Sequence, residues 1–368
     1  MSKQARLVIL CEAYRSIEYP LYILESEKPD VPVTIFITAL EDLYHLFQVL
    51  NEKVLNNSLE LIYYPPYKSR WRQKKCIKKW FYLLPDILNE RCNIRRFFNN
   101  HFKDLEGATI IFSSPGYTGI KIYALRRLSK RNRLIYRKSA PPYMGRYSPK
   151  SLRDIVTLLM YKITYSKDTQ IGQYPADRPY TKGFPLMPDS FMKDSVDSVI
   201  DWSNRAELMK DFAWEKYSVF NTGDVKVIYF HQDLVDRYVP DRDTFKRELD
   251  EIFKVVLKHF PEKEIARKYH PSHEHNKDIV TTGEEIPVYI PAELLYSNSI
   301  KVYLGISSSA IANVRGGQAI SLIELITYTD EGAKKQLKEI LINSSLSEVL
   351  FPASLEELEQ ILIKIRNQ

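Results

Sequence analysis

Short apolar runs alternate with helical patterns along the chain, and this alternation limits the fold more than any other feature. Helical patterns such as Leu40–Leu55 and Gly119–Leu128 separate the runs in the first half. Consecutive strands joined by helices form parallel sheets, because a parallel pair needs a long crossover connection. The predicted strands of this half are Arg6–Cys11, Val31–Thr38, Leu59–Tyr64, Ala108–Ser113 and Arg133–Tyr136.

The second half follows the same pattern. An amphipathic helix is predicted over Asp243–His259, with apolar residues at helical spacing. Ala319–Leu325 is interpreted either as a strand or as a buried helical turn. Ser354 and Glu357 predict a capping box at the start of a final helix, Ser354–Ile365. The predicted strands are Val225–Phe230, Glu264–Tyr269 and Ile300–Leu304, and the predicted short helices are Pro291–Ser297 and Ser307–Asn313.

These patterns predict an α/β protein with two Rossmann-like domains facing a cleft, the GT-B type architecture of many glycosyltransferases. The N-terminal domain is expected over residues 1–190, the C-terminal domain over 200–350 and a last helix over 354–368. The Pro- and Tyr-rich stretch Tyr165–Asp201 is interpreted as a connection between the domains. Fold alone does not give function.

Charge is distributed unevenly between the halves. Residues 1–200 hold 32 Lys and Arg against 19 Asp and Glu, whereas residues 201–368 hold 21 against 27. The excess is greatest over residues 51–150, with 22 basic residues against 6 acidic ones. A basic surface attracts anionic lipid, an acidic polymer or nucleic acid, but the sequence has no nucleic-acid recognition motif, so no nucleic-acid partner is expected.

Cysteine content and hydropathy point to a cytoplasmic setting. The three cysteines, Cys11, Cys76 and Cys92, have no metal-type spacing and cannot build a disulfide framework. No apolar run approaches the ~20 residues that span a bilayer. The composition, 44% hydrophobic and 27% charged, is that of a folded chain rather than a disordered or fibrous one.

A His-Pro pair follows the predicted strand Glu264–Tyr269. Pro271 restricts His270 to an extended backbone, and strand carboxyl ends are where open α/β sheets bind ligands. His270 is therefore a candidate for donating a proton or hydrogen bond to a phosphate leaving group, although a surface histidine at a turn would have the same pattern.

A second segment, Ile286–Ala310, combines a carboxylate with a serine-rich turn. Ser307, Ser308 and Ser309 follow Gly305 and open a predicted helix, where hydroxyl and N–H groups can bind phosphate. Glu293 can accept hydrogen bonds from ribose hydroxyls. Helix capping and a solvated carboxylate are the plain alternatives for these residues.

The order His-Pro, Pro-Ala-Glu, Gly-x-Ser-Ser-Ser resembles bacterial sialyltransferases of the lipooligosaccharide and polysialic-acid types, mainly over residues 225–315. The resemblance implies that His270 assists departure of CMP. It also implies that Glu293 holds the ribose and that Ser307 or Ser308 holds the phosphate. Pro271, Gly305 and Ser309 complete the expected nucleotide-binding residues. No metal or cofactor is required.

The general base is where this chain departs from the resemblance. Many of these enzymes carry an acidic pair after a strand of the N-terminal domain, whereas here Arg137, Lys138 and Ser139 stand at that place. The lipooligosaccharide type places its base after the first strand of the C-terminal domain, which implies Asp233 first and Asp236 second. Glu12, at the end of the first strand, is a third option.

Two basic stretches predict a partner surface. Residues 67–82 and 121–138 fit peripheral contact with an anionic membrane; an acidic polysaccharide or a solvated helix face are the alternatives. The cluster of His270, His273, Glu274 and His275 lacks sound metal-ligand spacing, so no metal site is expected.

These features together predict an inverting glycosyltransferase. It would move sialic acid or a related nonulosonate from a CMP-activated donor to a bacterial surface glycan, lipooligosaccharide or capsule. A lipid-linked acceptor would place the enzyme at the inner face of the cytoplasmic membrane. A CMP-Kdo or CDP-polyol transferase, and a catalytically silent glycan- or membrane-binding homologue, remain as alternatives.

Overall fold

The fold is that of a computed structural model of the 368-residue chain. The structure describes residues 6–12, 17–38, 40–66, 83–113, 118–138, 145–173, 182–202, 208–209, 212, 214–217, 219–220, 223–232, 234–235, 238–269, 279–314, 316–345 and 347–368. The chain divides into two compact units, Met1–Phe212 and Ala213–Gln368.

The N-terminal unit is built on a six-stranded parallel sheet in the order β3-β2-β1-β4-β5-β9. Every residue of β1 and β2 is buried, because helices cover both faces of a parallel sheet and these strands are mostly apolar. The strands are β1 Leu7–Cys11, β2 Val33–Thr38, β3 Leu59–Tyr64, β4 Thr109–Phe112, β5 Arg133–Lys138 and β9 Ser198–Asp201.

Six α-helices connect or flank these strands in the described part of this unit. Helix α4 lies between β4 and β5 and contributes Ile120, Ile122 and Leu125 to the core. The helices are α1 Glu18–Tyr22, α2 Glu41–Lys53, α3 Leu83–His101, α4 Gly119–Leu128, α5 Leu152–Thr164 and α6 Asp189–Ser195.

A three-stranded antiparallel sheet interrupts the crossover from β5 to β9. Its strands are β6 Gly145–Tyr147, β7 Gln170–Gln173 and β8 Lys182–Leu186. The interpretation of Tyr165–Asp201 as a connection between domains is therefore wrong. That segment holds two strands of this small sheet, helix α6 and β9, whose Ser198 pairs with Ile135 of β5 in the N-terminal sheet.

The C-terminal unit repeats the same strand order, β12-β11-β10-β13-β14-β15, again with all strands parallel. Relative to chain order, both sheets read 3-2-1-4-5-6, the Rossmann arrangement. The prediction of two Rossmann-like domains is confirmed. The strands are β10 Val227–Phe230, β11 Ile265–Lys268, β12 Glu284–Ile286, β13 Val302–Gly305, β14 Gln318–Ser321 and β15 Val349–Leu350.

Helices α7 Arg242–His259 and α10 Leu355–Arg366 pack together over this sheet. The side chain of Asp241 caps α7 by accepting from the Thr244 N–H at 2.8 Å. Ser354 caps α10 by accepting from the Glu357 N–H at 3.2 Å. The Glu357 carboxylate accepts from the N–H of Ala353 rather than from that of Ser354. The second bond of the predicted capping box is therefore made to the residue before the cap.

The unit also contains α8 Ser309–Ala312, α9 Glu331–Ser344 and 3-10 turns at Trp214–Tyr217, Glu262–Glu264, Ala292–Leu295 and Ile323–Leu325. Ala319–Leu325 contains both of the alternatives considered, a strand to Ser321 and then a buried 3-10 turn. The helix expected over Ser307–Asn313 is only one turn.

Candidate functional site

The strand order of the C-terminal sheet reverses between β10 and β13. At such a switch point the loops after the two strands diverge to opposite faces and leave a ligand-binding crevice at the carboxyl ends. Phe230 at the end of β10 is paired with Gly305 at the end of β13. The residues that follow, His231 and Gln232 on one side and Ile306–Ser309 on the other, are therefore neighbours.

Gln232 and Ser307 join these two loops directly. The Gln232 Oε1 atom accepts a hydrogen bond from the Ser307 N–H at 2.6 Å and another from the Ser307 hydroxyl at 3.3 Å. Sequence analysis selected Ser307 but missed Gln232. The available signal was a polar pair, His231-Gln232, directly after an entirely buried strand.

Gly305 and Ser308 shape the serine-rich turn. A Cβ atom at Gly305 would lie 3.0 Å from the Ile311 side chain, so glycine allows the turn to pack closely on β13. The Ser308 hydroxyl accepts from the Ala310 N–H at 3.2 Å, and Ser309 begins α8. Ser308 is thus a helix cap, which is the alternative that the sequence analysis left open. Because α8 has only four residues, its macrodipole would contribute little to phosphate binding.

Glu293 is half-buried in the 3-10 turn Ala292–Leu295, which Pro291 precedes. The segment after this turn meets the serine-rich turn, because the Tyr296 hydroxyl donates to the Ala310 carbonyl at 2.7 Å. The Tyr303 hydroxyl of β13 accepts from the Ser297 N–H at 2.8 Å. Two tyrosines that the sequence analysis missed thus join the segment after the Pro-Ala-Glu turn to α8 and to β13, and neither bond involves Glu293 or Ser307–Ser309.

The end of β11 adds aromatic and cationic groups. Tyr269 is buried, donates its hydroxyl to the Val280 carbonyl, and has its ring 5.2 Å from that of His231. The buried Lys268 Nζ atom donates to the carbonyls of Tyr269 and Val288, each at 2.9 Å. These bonds fix the backbone on both sides of the segment that carries the His-Pro pair.

Three of the selected residues lie outside the described residues: His270, Pro271 and Asp233. The second candidate base, Asp236, and the cluster His273, Glu274 and His275 do too. Their roles stay predictions. Among the residues that the structure does describe, no group of three or more His, Cys, Asp or Glu side chains is arranged to hold a metal ion.

The N-terminal sheet has its own switch point, between β1 and β4, and it holds a buried ion pair. Glu12 follows β1, and its carboxylate pairs with the Nζ atom of Lys121 on α4; the two side chains are 4% and 0% exposed. The Thr118 hydroxyl lies 3.1 Å from Glu12 Oε1 and 3.1 Å from the Thr38 hydroxyl. Glu12, the third candidate for the general base, thus lies in a buried cluster of hydrogen-bonded polar side chains.

Burial shifts both partners of this pair toward neutrality. It raises the pKa of the Glu12 carboxyl, and the Lys121 charge partly offsets that rise. It lowers the pKa of the Lys121 ammonium, which the Glu12 charge opposes. A carboxylate with a raised pKa is a better proton acceptor at neutral pH than an exposed one.

Arg137 occupies the place where the resemblance expects acidic residues. It is 6% exposed, and its guanidinium lies over the Tyr19 ring at 4.7 Å and over the Trp202 ring at 5.7 Å. Lys121 is also buried, so neither residue can take part in the membrane contact expected of 121–138. Both face inward because α4 and β5 pack these positions into the domain. The other basic stretch, 67–82, lies outside the described residues.

No family model matches the sequence, and no curated protein matches it significantly. Among solved structures, an alpha/beta-galactoside alpha-2,3-sialyltransferase from Photobacterium phosphoreum matches with a TM-score of 0.42 and 12% identity, over 95% of this chain and 99% of that one. TcCGT1 in complex with UDP matches with a TM-score of 0.45 and 11% identity, over 99% and 93%. A UDP-N-acetylglucosamine 2-epimerase matches with a TM-score of 0.43 and 12% identity, over 98% and 87%.

TM-scores below 0.5 and identities of 11–12% carry no functional argument, so the function is inferred from this chain's own residues. Within the described ranges, none of the helices combines the length and the apolar character needed to cross a bilayer.

Proposed function

We propose that this chain is a glycosyltransferase that uses a nucleotide-activated sugar and binds the donor phosphate at the turn Gly305–Ser309. The observation that carries the proposal is the pair of hydrogen bonds from the Ser307 N–H and hydroxyl to Gln232 Oε1. Two donors converge on one oxygen at the switch point of a Rossmann-like sheet, where nucleotides bind in such folds.

The Gln232 amide oxygen occupies the position that a phosphate oxygen would take. Hydrogen bonds to an ionised acceptor are roughly twice as strong as those to a neutral one, so an arriving phosphate can displace the amide. Ser308 remains a structural cap in this arrangement, and Gly305 keeps room for the turn.

The proposed donor is a CMP-activated sialic acid or related nonulosonate, and the proposed acceptor is a bacterial surface glycan that is lipid-linked at the inner face of the cytoplasmic membrane. Support comes from the order of His270-Pro271, Glu293 and Ser307–Ser309 and from the Tyr296 contact that joins the last two segments. CMP-Kdo and CDP-polyol donors fit the same phosphate site and are separated by the experiment below.

The chemistry assigns a task to each group. The anomeric C–O bond of the donor breaks, and its electron pair leaves with the CMP phosphate through an oxocarbenium-like transition state. Ser307 and His270 stabilise the growing phosphate charge. The acceptor hydroxyl forms the new bond from the opposite face, so the configuration inverts, and its proton passes to a carboxylate, which is worth about 10²–10⁴-fold. No metal is needed in this scheme.

Asp233 is the first candidate for that carboxylate, Asp236 the second and Glu12 the third. Glu12 has the raised pKa that suits a base, but Lys121 already engages its carboxylate. Substitution of each by its amide separates them, because only the true base should lower the turnover rate while leaving CMP affinity unchanged.

The test has two stages. First, thermal-shift titration of the full chain with CMP, CDP, UDP and GDP should show the largest stabilisation with CMP; a preference for UDP or GDP contradicts the proposed donor. Second, CMP-sialic acid with a panel of glycans should release CMP, and His270→Ala should abolish the release. If no nucleotide stabilises the chain, the phosphate site itself is refuted.

One observation favours a second candidate, a catalytically silent homologue that still binds nucleotide. Arg137 is buried against Tyr19 and Trp202 where the resemblance expects a base. This candidate predicts CMP binding with no turnover of any CMP-sugar, and hydrolysis of donor by the wild-type chain excludes it.

A further inference from the structure

Helix α5 carries a stripe of exposed aliphatic side chains. Leu152, Ile155, Leu159 and Ile163 are 70%, 48%, 53% and 48% exposed. Their spacing of three, four and four residues places them within an arc of about 80° on one face of the helix, given 100° per residue. Apolar residues in a row on a solvent-facing helix mark an interaction surface, whereas scattered ones do not.

Helix α3 extends this surface. Leu84 and Leu88 are 63% and 50% exposed, and Arg91 and Arg95 continue the same helical face. The spacing of four, three and four residues again keeps the four side chains together. One helical face thus changes from aliphatic to cationic along its length.

The two helices lie side by side. Ile87 of α3 packs with Val156 and Met160 of α5, and the Tyr165 hydroxyl just after α5 donates to the Glu90 carboxylate. These contacts pair the early part of α3 with the middle of α5, and Glu90 with the residue that follows α5. The exposed leucines and isoleucines therefore form one aliphatic region, which leads into a cationic region near the end of α5.

The cationic region is a concavity of about 760 Å³. Among the described residues, seven arginines and lysines line it against a single carboxylate, Asp168, which pairs with Arg126. Arg91 and Arg95 come from α3, Arg126, Arg127 and Lys130 from the end of α4 and the turn after it, and Lys162 and Lys167 from the end of α5 and beyond.

Carboxylates near this surface are engaged by neighbouring groups. Asp86 is buried. Asp154 accepts from the Tyr147 hydroxyl at 2.9 Å and from the N–H groups of Lys150 and Ser151 at 3.1 Å each. Glu90 accepts from Tyr165. The surface therefore offers aliphatic groups and positive charge, with little negative charge to oppose an anion.

We propose that this surface, the α3–α5 face, binds the headgroup region of an anionic membrane. The six aliphatic side chains enter the boundary between headgroups and acyl chains, and the cations of the concavity bind lipid phosphates. The six exposed side chains of the stripe are all aliphatic and lie beside a cluster of cations, which is the composition of a membrane-interface surface, whereas protein interfaces favour aromatic anchors. The proposal does not depend on the proposed transferase activity.

The α3–α5 face includes only some of the residues that the sequence predicted to contact a membrane. Of the stretch 121–138, Arg126, Arg127 and Lys130 line the concavity, whereas Lys121 and Arg137 are buried. The aliphatic residues of α3 and α5 played no part in that expectation, because burial cannot be read from the periodicity of a single helix.

Vesicle co-sedimentation of the full chain tests the proposal. Wild type should sediment with phosphatidylcholine vesicles that contain about 30% phosphatidylglycerol and not with pure phosphatidylcholine, and added salt should weaken the binding. Leu152→Ser with Leu159→Ser should lower vesicle affinity about tenfold or more. Arg91→Glu with Arg95→Glu should do the same by reversing two charges.

Matched controls separate the surface from general effects. Ile340→Ser with Ile342→Ser changes aliphatic residues that are 56% and 51% exposed on α9 of the other unit. Arg96→Glu with Lys103→Glu reverses two exposed charges that do not line the concavity. Both controls should keep wild-type vesicle affinity within about twofold.

Three outcomes overturn the proposal: no sedimentation of wild type with either vesicle, equal sedimentation with both, or equal loss in the test and control pairs. A wild-type dimer in light scattering that Leu152→Ser with Leu159→Ser converts to a monomer also overturns it, because a second copy would then cover the face. Circular dichroism melts confirm that each variant is folded, and the aliphatic and charge pairs test the face independently.

Discussion

The side-chain oxygen of Gln232 accepts both the backbone N–H of Ser307, at 2.6 Å, and the Ser307 hydroxyl, at 3.3 Å, across a separation of 75 residues. These bonds hold the loop after β10 against the loop after β13. In the proposed function a donor phosphate takes over the same two donors, so alanine at Ser307 should weaken nucleotide binding, whereas alanine at Gln232 should not.

Gln232→Glu should weaken CMP binding at least tenfold, because a carboxylate would repel the incoming phosphate while competing more strongly for Ser307. Gln232→Ala should leave CMP affinity equal to or higher than wild type, since no amide has to be displaced. Isothermal titration calorimetry measures both. Weaker binding by the alanine variant would show that Gln232 contacts the ligand instead of standing in for it.

Ser307→Ala should lower CMP affinity about ten- to 150-fold through loss of one hydrogen bond to a charged group, without a large loss of stability. Ser308→Ala provides the matched comparison. It removes the cap on Ala310 and should cost about 1 kcal/mol of unfolding free energy, with CMP affinity changed less than in Ser307→Ala. Titration and urea unfolding together separate the two serines, and a reversed ranking would count against the assigned roles.

Substitutions at the buried Glu12–Lys121 pair should have strongly non-additive effects on the free energy of unfolding. Lys121→Met leaves a buried carboxylate without its partner and should destabilise the N-terminal domain by about 3–5 kcal/mol. The double variant Glu12→Gln with Lys121→Met should recover most of that loss, because no buried charge remains. Urea unfolding of the single and double variants gives the coupling energy, and additive effects would contradict the ion pair.

The cost of Lys121→Met should also depend on pH. Burial raises the folded-state pKa of Glu12, and removal of the ammonium takes away the charge that offsets this rise. A carboxyl with a folded pKa above its unfolded value binds more protons when folded, so stability falls as pH rises from the unfolded pKa, about 4.3, through the folded pKa. The unfolding free energy of Lys121→Met should therefore fall more steeply than that of wild type from acidic to neutral pH, whereas the double variant, which has no carboxyl at position 12, should lack this dependence.

Gly305→Ala should destabilise the C-terminal domain by about 1–3 kcal/mol, since the new Cβ would lie 3.0 Å from the Ile311 side chain. Ile311→Ala alone leaves a cavity and also destabilises. In the double variant the two changes should partly compensate, and unfolding measurements would report a coupling of about 0.5 kcal/mol or more. Strict additivity would show that the turn relaxes without contact to Ile311.

Much of the fold was predictable because parallel strands are read from continuous apolar runs. Leu59–Tyr64 and Gly119–Leu128 match their predicted bounds, and Leu7–Cys11 begins one residue late. The small antiparallel sheet was missed because strands such as Gln170–Gln173 are only four residues long and lack alternation. These segments are strands because they pair with residues far away in the sequence, and a local sequence pattern does not reveal such pairing.

The sequence predicted several residues of the candidate site but not the contacts between them. Ser307 follows β13 closely and Glu293 lies in a 3-10 turn between β12 and β13, and sequence order alone suggested that they share a ligand. Gln232 was missed since its role depends on the register of β10 against β13, and Lys121 was read as a surface charge. A lysine between Ile120 and Ile122 on a helix that packs on a parallel sheet was the signal for its burial.

The antiparallel strands β6, β7 and β8 are carried on the crossover between the fifth and sixth strands of the N-terminal sheet, and neither of those strands forms the switch point between β1 and β4. An insertion at that position can lengthen, shrink or change sequence over evolutionary time while the central strands and the groups at their ends keep their alignment. Relatives of this chain should therefore diverge most in that insert, and swapping it between them offers a way to alter recognition without rebuilding the scaffold.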